Sequence, residues 1–125
     1  MNYQIGDLIR YNSSIERISA VHKDYVLLES KSDDFKVLVN ELEPIAIGEI
    51  YFLKQDFEKC LDTYLWEING RRIRIQDSGF FGYSGEVENL FLELKVRFNS
   101  IKWLHQLQQA IRLCEINKEL QYDNI

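Results

Sequence analysis

The chain holds a single proline and only six glycines in 125 residues. That scarcity excludes a long flexible linker, a proline-rich recognition tail and a collagen-like repeat. Its two cysteines, Cys60 and Cys114, lie far apart and have no ligand-spaced neighbours. A disulfide framework and a zinc finger are therefore not what organises the fold, and both thiols are expected to be small buried hydrophobes. No apolar run approaches the roughly 18–20 residues that span a bilayer. The opening MNYQIGDLIR has no basic stretch leading into an apolar one, so the expectation is a cytoplasmic protein without membrane contact. A cationic excess is missing as well. Fifteen Lys and Arg stand against twenty Asp and Glu, for a net charge of −5. Broad attachment to a phosphate backbone needs clustered cations, so what remains is a local basic patch, or an acidic surface that meets a basic partner.

Catalytic signatures are absent too. Gly79-Phe80-Phe81-Gly82-Tyr83-Ser84-Gly85 is glycine-rich but lacks the lysine and the strand-to-helix setting of a phosphate loop. No Ser-His-Asp or Cys-His spacing is evident. The two histidines, His22 and His105, do not form a metal pair. The acidic groups Asp33-Asp34, Glu41/Glu43 and Asp56/Glu58/Asp62 have no histidine placed to join them, and such runs read as solvated turns. The chain is therefore read as non-enzymatic, with no cofactor.

What is present is core-forming material. Hydrophobic residues make up 46% of the chain, and the aromatics are seven Phe, seven Tyr and two Trp, well above what a disordered segment carries. Residues 1–47 read as a meander of short strands at about ten-residue spacing: Ile5–Tyr11 broken at Gly6-Asp7, Ile15–His22, Tyr25–Ser30 and a period-two strand on Phe35, Val37 and Val39. Turns fall at Asn12-Ser13-Ser14, His22-Lys23-Asp24 and Lys31 to Asp34. This suggests a small SH3-like barrel or bent sheet, which the chain leaves through Pro44.

Residues 49–58, with Ile50, Leu53 and Phe57 at helical spacing, predict a short helix. Asn69-Gly70 predicts a hairpin between Tyr64–Ile68 and Arg71–Gln76. Ser84-Gly85-Glu86 reads as a connection. Leu90 to Phe98 reads as one strand with Leu92, Leu94, Val96 and Phe98 on the buried face. Asn99-Ser100 would then cap a final helix carrying Trp103, Leu104, Leu107, Ala110, Ile111 and Cys114 on one face. Lys102, Gln106, Gln109 and Glu115 fall opposite, with His105 and Arg112 at the flank and a frayed tail over 121–125. The fold class is α+β: an N-terminal SH3-like meander (1–47), then a helix, an antiparallel sheet and a C-terminal amphipathic helix (48–125), in one domain of two lobes.

Three constellations carry candidate function. His105-Gln106-Leu107-Gln108 is the most distinctive tetrad: either His105, Gln109 and Arg112 form a polar stripe that grips a peptide backbone or a nucleobase edge, or His105 and Gln106 hydrogen-bond to the neighbouring sheet or the preceding loop and fix the helix's pose. Arg71-Arg72-Ile73-Arg74 is the one basic cluster, with Arg72 and Arg74 on one face of a strand and Arg71 on the other. With Tyr64, Trp66, Phe80, Phe81 and Tyr83 nearby in sequence, it makes either an aromatic and basic surface for RNA or single-stranded DNA, or a solvated face paired with Glu67 and Asp77. Finally, Phe80, Phe81 and Tyr83, between glycines, suit a recognition loop. They are taken with the acidic turn Asp33-Asp34 as candidate protein-binding residues.

Leu42-Glu43-Pro44-Ile45, then Leu53, Lys54, Phe57 and Glu58, then Ile101-Lys102-Trp103-Leu104-His105-Gln106-Leu107-Gln108 occur in an order and spacing that resembles a group of short uncharacterised proteins of Bacteroidota phages and prophages. In that group the last segment runs Ile-Lys-Tyr-Val-His-Gln-Leu-Gln. Gln55-Asp56 departs from a Phe-Gly pair of the group, and Glu115-Ile116-Asn117 from its Thr-Gly helix end. The resemblance covers most of the chain, implies shared architecture more firmly than shared binding, and carries over no catalytic residue. Its context implies a host-takeover or anti-defence factor in the host bacterial cell. The expected function is a binding protein that inhibits a host defence effector such as an RNA-guided CRISPR nuclease with its guide RNA. The alternative is a nucleic-acid-binding module that uses Arg71, Arg72 and Arg74.

Overall fold

A computed structural model describes residues 2–48, 52, 54 and 56–114. The strands are β1 (Leu8–Tyr11), β2 (Ser14–Val21), β3 (Tyr25–Leu28), β4 (Phe35–Leu38), β5 (Glu58–Cys60), β6 (Thr63–Ile68), β7 (Arg71–Asp77), β8 (Tyr83–Asn89) and β9 (Leu94–Ile101), followed by helix α1 (Leu104–Leu113). They form two antiparallel meanders, β1-β2-β3-β4 and β5-β6-β7-β8-β9. The α+β class is as expected. The N-terminal meander is an open sheet rather than a closed barrel, because β1 and β4 remain its two edges. Of the short helix expected over 49–58, Phe52 and Lys54 are helical, but Asp56 is in a turn and Glu58 already opens β5, so the helix stops short of its expected end. Residues 49–51, 53 and 55 lie outside the described residues, as do Glu115 and the tail 121–125.

Tight turns set the registers. Asn12 and Ser13 both take positive φ (47° and 66°), and so do Asn69 and Gly70 (47° and 77°). Paired left-handed residues match the twist of a two-residue hairpin, which fixes Tyr11 against Ser14 and Ile68 against Arg71.

Two hydrophobic cores result, and β1 separates them. Side chains alternate across a strand. Leu8 accordingly enters a large core with Ile45, Phe52, Ile73, Ile75, Val87 and the apolar face of α1. Ile9 enters a smaller core with Ile18, Val26, Leu28, Val37 and Leu42 inside the first meander.

Three expectations fail for identifiable reasons. Ser84-Gly85-Glu86 is not a connection but the middle of β8. A Cβ on Gly85 would lie 2.0 Å from the Arg74 carbonyl oxygen, so this glycine serves close strand approach instead of a turn. Leu90 to Glu93 is a turn, with β9 beginning at Leu94, and Leu92 and Leu94 are exposed. Asn89 builds that turn: its Oδ1 accepts from Leu92 N at 3.2 Å and its Nδ2 donates to Cys114 O at 3.2 Å. Asn99-Ser100 lies inside β9 and does not cap the helix. Tyr83 pairs with Ile101 but Gly85 with Phe98, so β9 carries one extra residue there. Ser100 takes φ 57°, and this bulge turns both Phe98 and Ile101 inward. Trp103 is the N-cap residue, and Gln106 Oε1 accepts from its N–H (3.1 Å) and from that of Lys102 (3.0 Å).

The start of the first meander is tied to α1 through polar side chains. Asp7 is fully buried, and its carboxylate accepts from Arg112 Nη1 (2.7 Å), Gln109 Nε2 (2.9 Å) and Gln4 N (2.8 Å). Gln108 adds a second tie from α1, accepting from Leu8 N at 2.9 Å and donating to Gly6 O at 3.3 Å. Gly6 stands at φ 91°, where a Cβ would sit 3.0 Å from Arg112 Nη2.

Removing one member of this pair should be costly, since a buried carboxylate without its cation is strongly disfavoured. Arg112→Ala is expected to lower unfolding stability by about 3 kcal/mol. Asp7→Asn combined with Arg112→Gln should lose less than Arg112→Ala alone, because no charge is then stranded. Urea denaturation of the set measures both.

Candidate functional site

The β7–β8 connection is a short 3-10 turn, Gly79–Phe81, held from both sides. Asp77 Oδ1 accepts from Gly79 N at 2.8 Å, and Ser78 N donates to Gly82 O at 2.8 Å. Gly82 takes φ 86°, and a Cβ there would meet Ile101 O at 2.4 Å. The turn is thus pressed against the end of β9, and its two phenylalanines stand in solvent. Phe80 is 99% exposed and Phe81 72%.

Tyr83 behaves differently from its neighbours. Its ring is half-buried, packs on the large core and meets Phe52 edge-on at 5.3 Å. It also lines a cavity of about 280 Å³ beside the tip, with Ala46, Ile47, Lys102 and Trp103. Two exposed phenylalanines therefore stand at the mouth of a largely apolar recess. Asp33 and Asp34 are exposed in the β3–β4 loop of the other sheet, where Asp34 Oδ1 accepts from Ser30 N at 3.3 Å. No residue of that loop lines the recess.

The basic cluster divides as alternation requires. Arg72 Nε donates to Glu67 at 3.0 Å, and its guanidinium lies 3.6 Å from Glu88. Arg74 lies 3.9 Å from Glu86. From β9, Lys95 approaches Glu86 (3.6 Å) and Glu88 (3.7 Å), and Arg97 approaches Glu86 (3.7 Å). The outer face of this sheet is a lattice of alternating charges in which β8 supplies most of the carboxylates. Asp77, expected as a partner, caps Gly79 instead. The hydrogen bond and charge of Glu67 hold the Arg72 guanidinium above its ordinary pKa. Arg71 points to the opposite face, where it is half-buried and its Nε has no hydrogen-bond partner. A phosphate backbone approaching Arg72 and Arg74 would have to compete with the carboxylates.

The polar stripe on α1 is absorbed by the fold. Gln109 and Arg112 hold Asp7, and Gln109 also donates to Asn2 O at 2.9 Å. His105, expected at the flank, is 1% exposed, with its ring 4.9 Å from that of Tyr3 and its Nδ1 unpartnered. The acidic residues Asp56 and Glu58 line a recess with Leu65, Trp66 and Glu67, and no histidine lines it. Among the described residues no three His, Cys, Asp or Glu side chains converge as metal ligands. Cys114 is buried as expected and donates to Val87 O at 3.1 Å, and burial raises its thiol pKa. Cys60 is instead exposed on the edge strand β5.

Sequence reasoning missed Asp7 and Asn89, and singled out the segment with Gln108 without giving that residue a role. The only signal for Asp7 and Asn89 was adjacency to glycine (Gly6) or to an apolar run. It also missed the exposed tip at Leu90, Phe91 and Leu92, with Phe91 73% exposed. Comparison with protein-family models, curated proteins and solved structures gives no match.

Burial lowers the pKa of His105, and the chain's own N-terminal charge adds to this, against an opposing pull from Asp7. A histidine that is harder to protonate when folded leaves stability intact above its unfolded pKa of about 6.5. Below that value the unfolded chain takes up the proton first. Stability is therefore expected to fall as pH drops from about 6.5 towards the depressed folded value, by at most about 1.4 kcal/mol per pH unit for one proton. Chemical denaturation between pH 7.5 and 5 should show this limb in the wild type and lose it in His105→Gln.

Proposed function

We propose that this chain is a non-enzymatic binding protein that docks on a host defence effector, as an RNA-guided nuclease would be, and inhibits it. The observation that carries the binding part is the Phe80–Phe81 tip. Large apolar side chains left exposed on a hydrogen-bonded turn are costly to leave uncovered. Aromatics held in place beforehand lose little entropy on docking, and such residues dominate interface energetics. The recess beside the tip offers a partner side chain a place to enter.

Charge supports the choice of partner class. A net charge of −5 favours encounter with a protein whose nucleic-acid channel is basic, and the exposed Asp33 and Asp34 add to that surface. The inhibitory role, the phage context and the cytoplasmic setting rest on the resemblance of the Leu42–Ile45 and Ile101–Gln108 segments. The reading as a nucleic-acid module has weaker support, because Arg72 and Arg74 face Glu67, Glu86 and Glu88.

Affinity capture from host lysate, with and without nuclease treatment, tests this. The wild type is expected to retain the same effector in both halves. Phe80→Ala with Phe81→Ala should abolish retention while changing stability by less than about 0.5 kcal/mol, as exposed positions do. Retention only in untreated lysate, reduced by Arg72→Ala with Arg74→Ala, would replace this reading with direct nucleic-acid contact.

A further inference from the structure

The five-stranded sheet ends in two unequal edges. β5 offers three residues, whereas β9 offers eight, Leu94–Ile101, without a proline. Among the described residues β9 pairs only with β8. Just past its end the chain closes on itself: Ile47 N donates to Lys102 O at 3.0 Å, Leu104 N to Ile45 O at 2.7 Å, and Ala46 bridges to Trp103. The open stretch among the described residues is therefore the run from Leu94 to Asn99, before the bulge at Ser100, whose N–H bonds Ser84 Oγ at 3.3 Å. The outward side of its backbone is where another strand would add.

The side chains along this edge have one sign. From Leu94 to Lys102 the charged residues are Lys95, Arg97 and Lys102, with no carboxylate. Lys95 and Arg97 lie 3.6–3.7 Å from carboxylates of β8, but Glu86 is shared among Arg74, Lys95 and Arg97, and the two β9 side chains stay 40% and 77% exposed. On the other face Leu94 is exposed and Val96 packs partly on the large core. A second copy of the chain paired antiparallel about Val96 would set Lys95 against Arg97, and about Lys95 or Arg97 would set that cation against its own copy; like charges so placed repel. A strand with acidic residues on one face and apolar ones on the other would satisfy both faces at once. Edge charges commonly guard against added strands; a guard of one sign repels the chain's own copies and admits the opposite sign.

We propose that the outer edge of β9 accepts an extended partner segment in which acidic and apolar residues alternate, added as a sixth strand. This surface is distinct from the Phe80–Phe81 tip and does not depend on what docks there. Main-chain hydrogen bonds hold the segment, and Lys95 and Arg97 select its acidic positions.

The test uses an acetylated, amidated heptapeptide alternating Glu and Val, its Gln-Val counterpart, and isotope-labelled protein followed by amide resonances and hydrogen exchange. The Glu-Val peptide is expected to shift the amides of 94–99 and slow the exchange of those facing outward. Lys95→Gln with Arg97→Gln, or the Gln-Val peptide, should each weaken binding about tenfold. Absence of binding up to about 1 mM, equal binding by both peptides, or shifts confined to other strands would overturn the proposal. So would sedimentation showing a dimer that Lys95→Gln with Arg97→Gln leaves intact and whose amide protection lies on β9.

Discussion

A carboxylate fully removed from water sits where the first meander meets α1, and the way these two pack follows from the need to satisfy it. An isolated buried charge is far less favourable than a paired and hydrogen-bonded one. Asp7 therefore holds in place whatever supplies its donors: the N-terminal turn through Gln4, and α1 through Gln109 and Arg112. Its backbone serves the first sheet as well, since Ile18 N donates to Asp7 O at 2.9 Å. One residue thus fixes the start of β1 against β2 and against a helix about a hundred positions later. With β1 so placed, Leu8 falls on the large core and Ile9 on the small one. The two lobes are coupled by this strand and its anchor.

The same satisfaction rule governs the sheet that α1 covers. Its inner face is apolar, with Ile73, Ile75, Val87 and Phe98 buried. Its outer face alternates cations on β7 and β9 around carboxylates on β8. Cross-strand pairs of opposite charge are modestly stabilising and salt-sensitive. The lattice does little for stability, but it leaves few of the cations on β7 without a carboxylate. What the sheet offers to the outside is then concentrated at its margins: the Phe80–Phe81 turn at one end, the Leu90–Leu92 turn at the other, and the cationic edge of β9.

The parts legible in the sequence were those in which local chemistry and tertiary demand agree. Asn69-Gly70 has the one backbone preference that a two-residue hairpin needs, and the periodicity of Leu104, Leu107, Ala110 and Ile111 allows only a helix with one buried face. Legibility failed where one residue type serves two purposes. Gly85 looks like punctuation but exists to let β8 approach β7. Leu90 to Leu94 alternates well enough to pass for strand, yet Asn89 closes a turn there, and it does so because its side chain also reaches the end of α1. His105 and Gln108 fall on the buried side of α1 although both are polar. Gln108 finds its partners a hundred residues away on Gly6 and Leu8, a pairing no local window contains.

The exposed phenylalanines make sense only beside that economy of polar groups. Elsewhere among the described residues most buried polar side chains reach a partner. At Gly79–Gly82 the backbone is equally determined, through Asp77, Ser78 and the contact of Gly82 with Ile101, yet the side chains it presents are left in water. A disordered loop with two phenylalanines would collapse onto the nearby recess of Ala46, Ile47 and Trp103. This one is bounded by a positive-φ glycine on either side, and Phe80 stands at the rim of the recess while staying exposed. Rigidity combined with exposure is unfavourable for the isolated chain and favourable in a complex, where the ordering has already been done. The tip contributes little to the fold, and its form follows from the contacts that fix its backbone rather than from any core it completes.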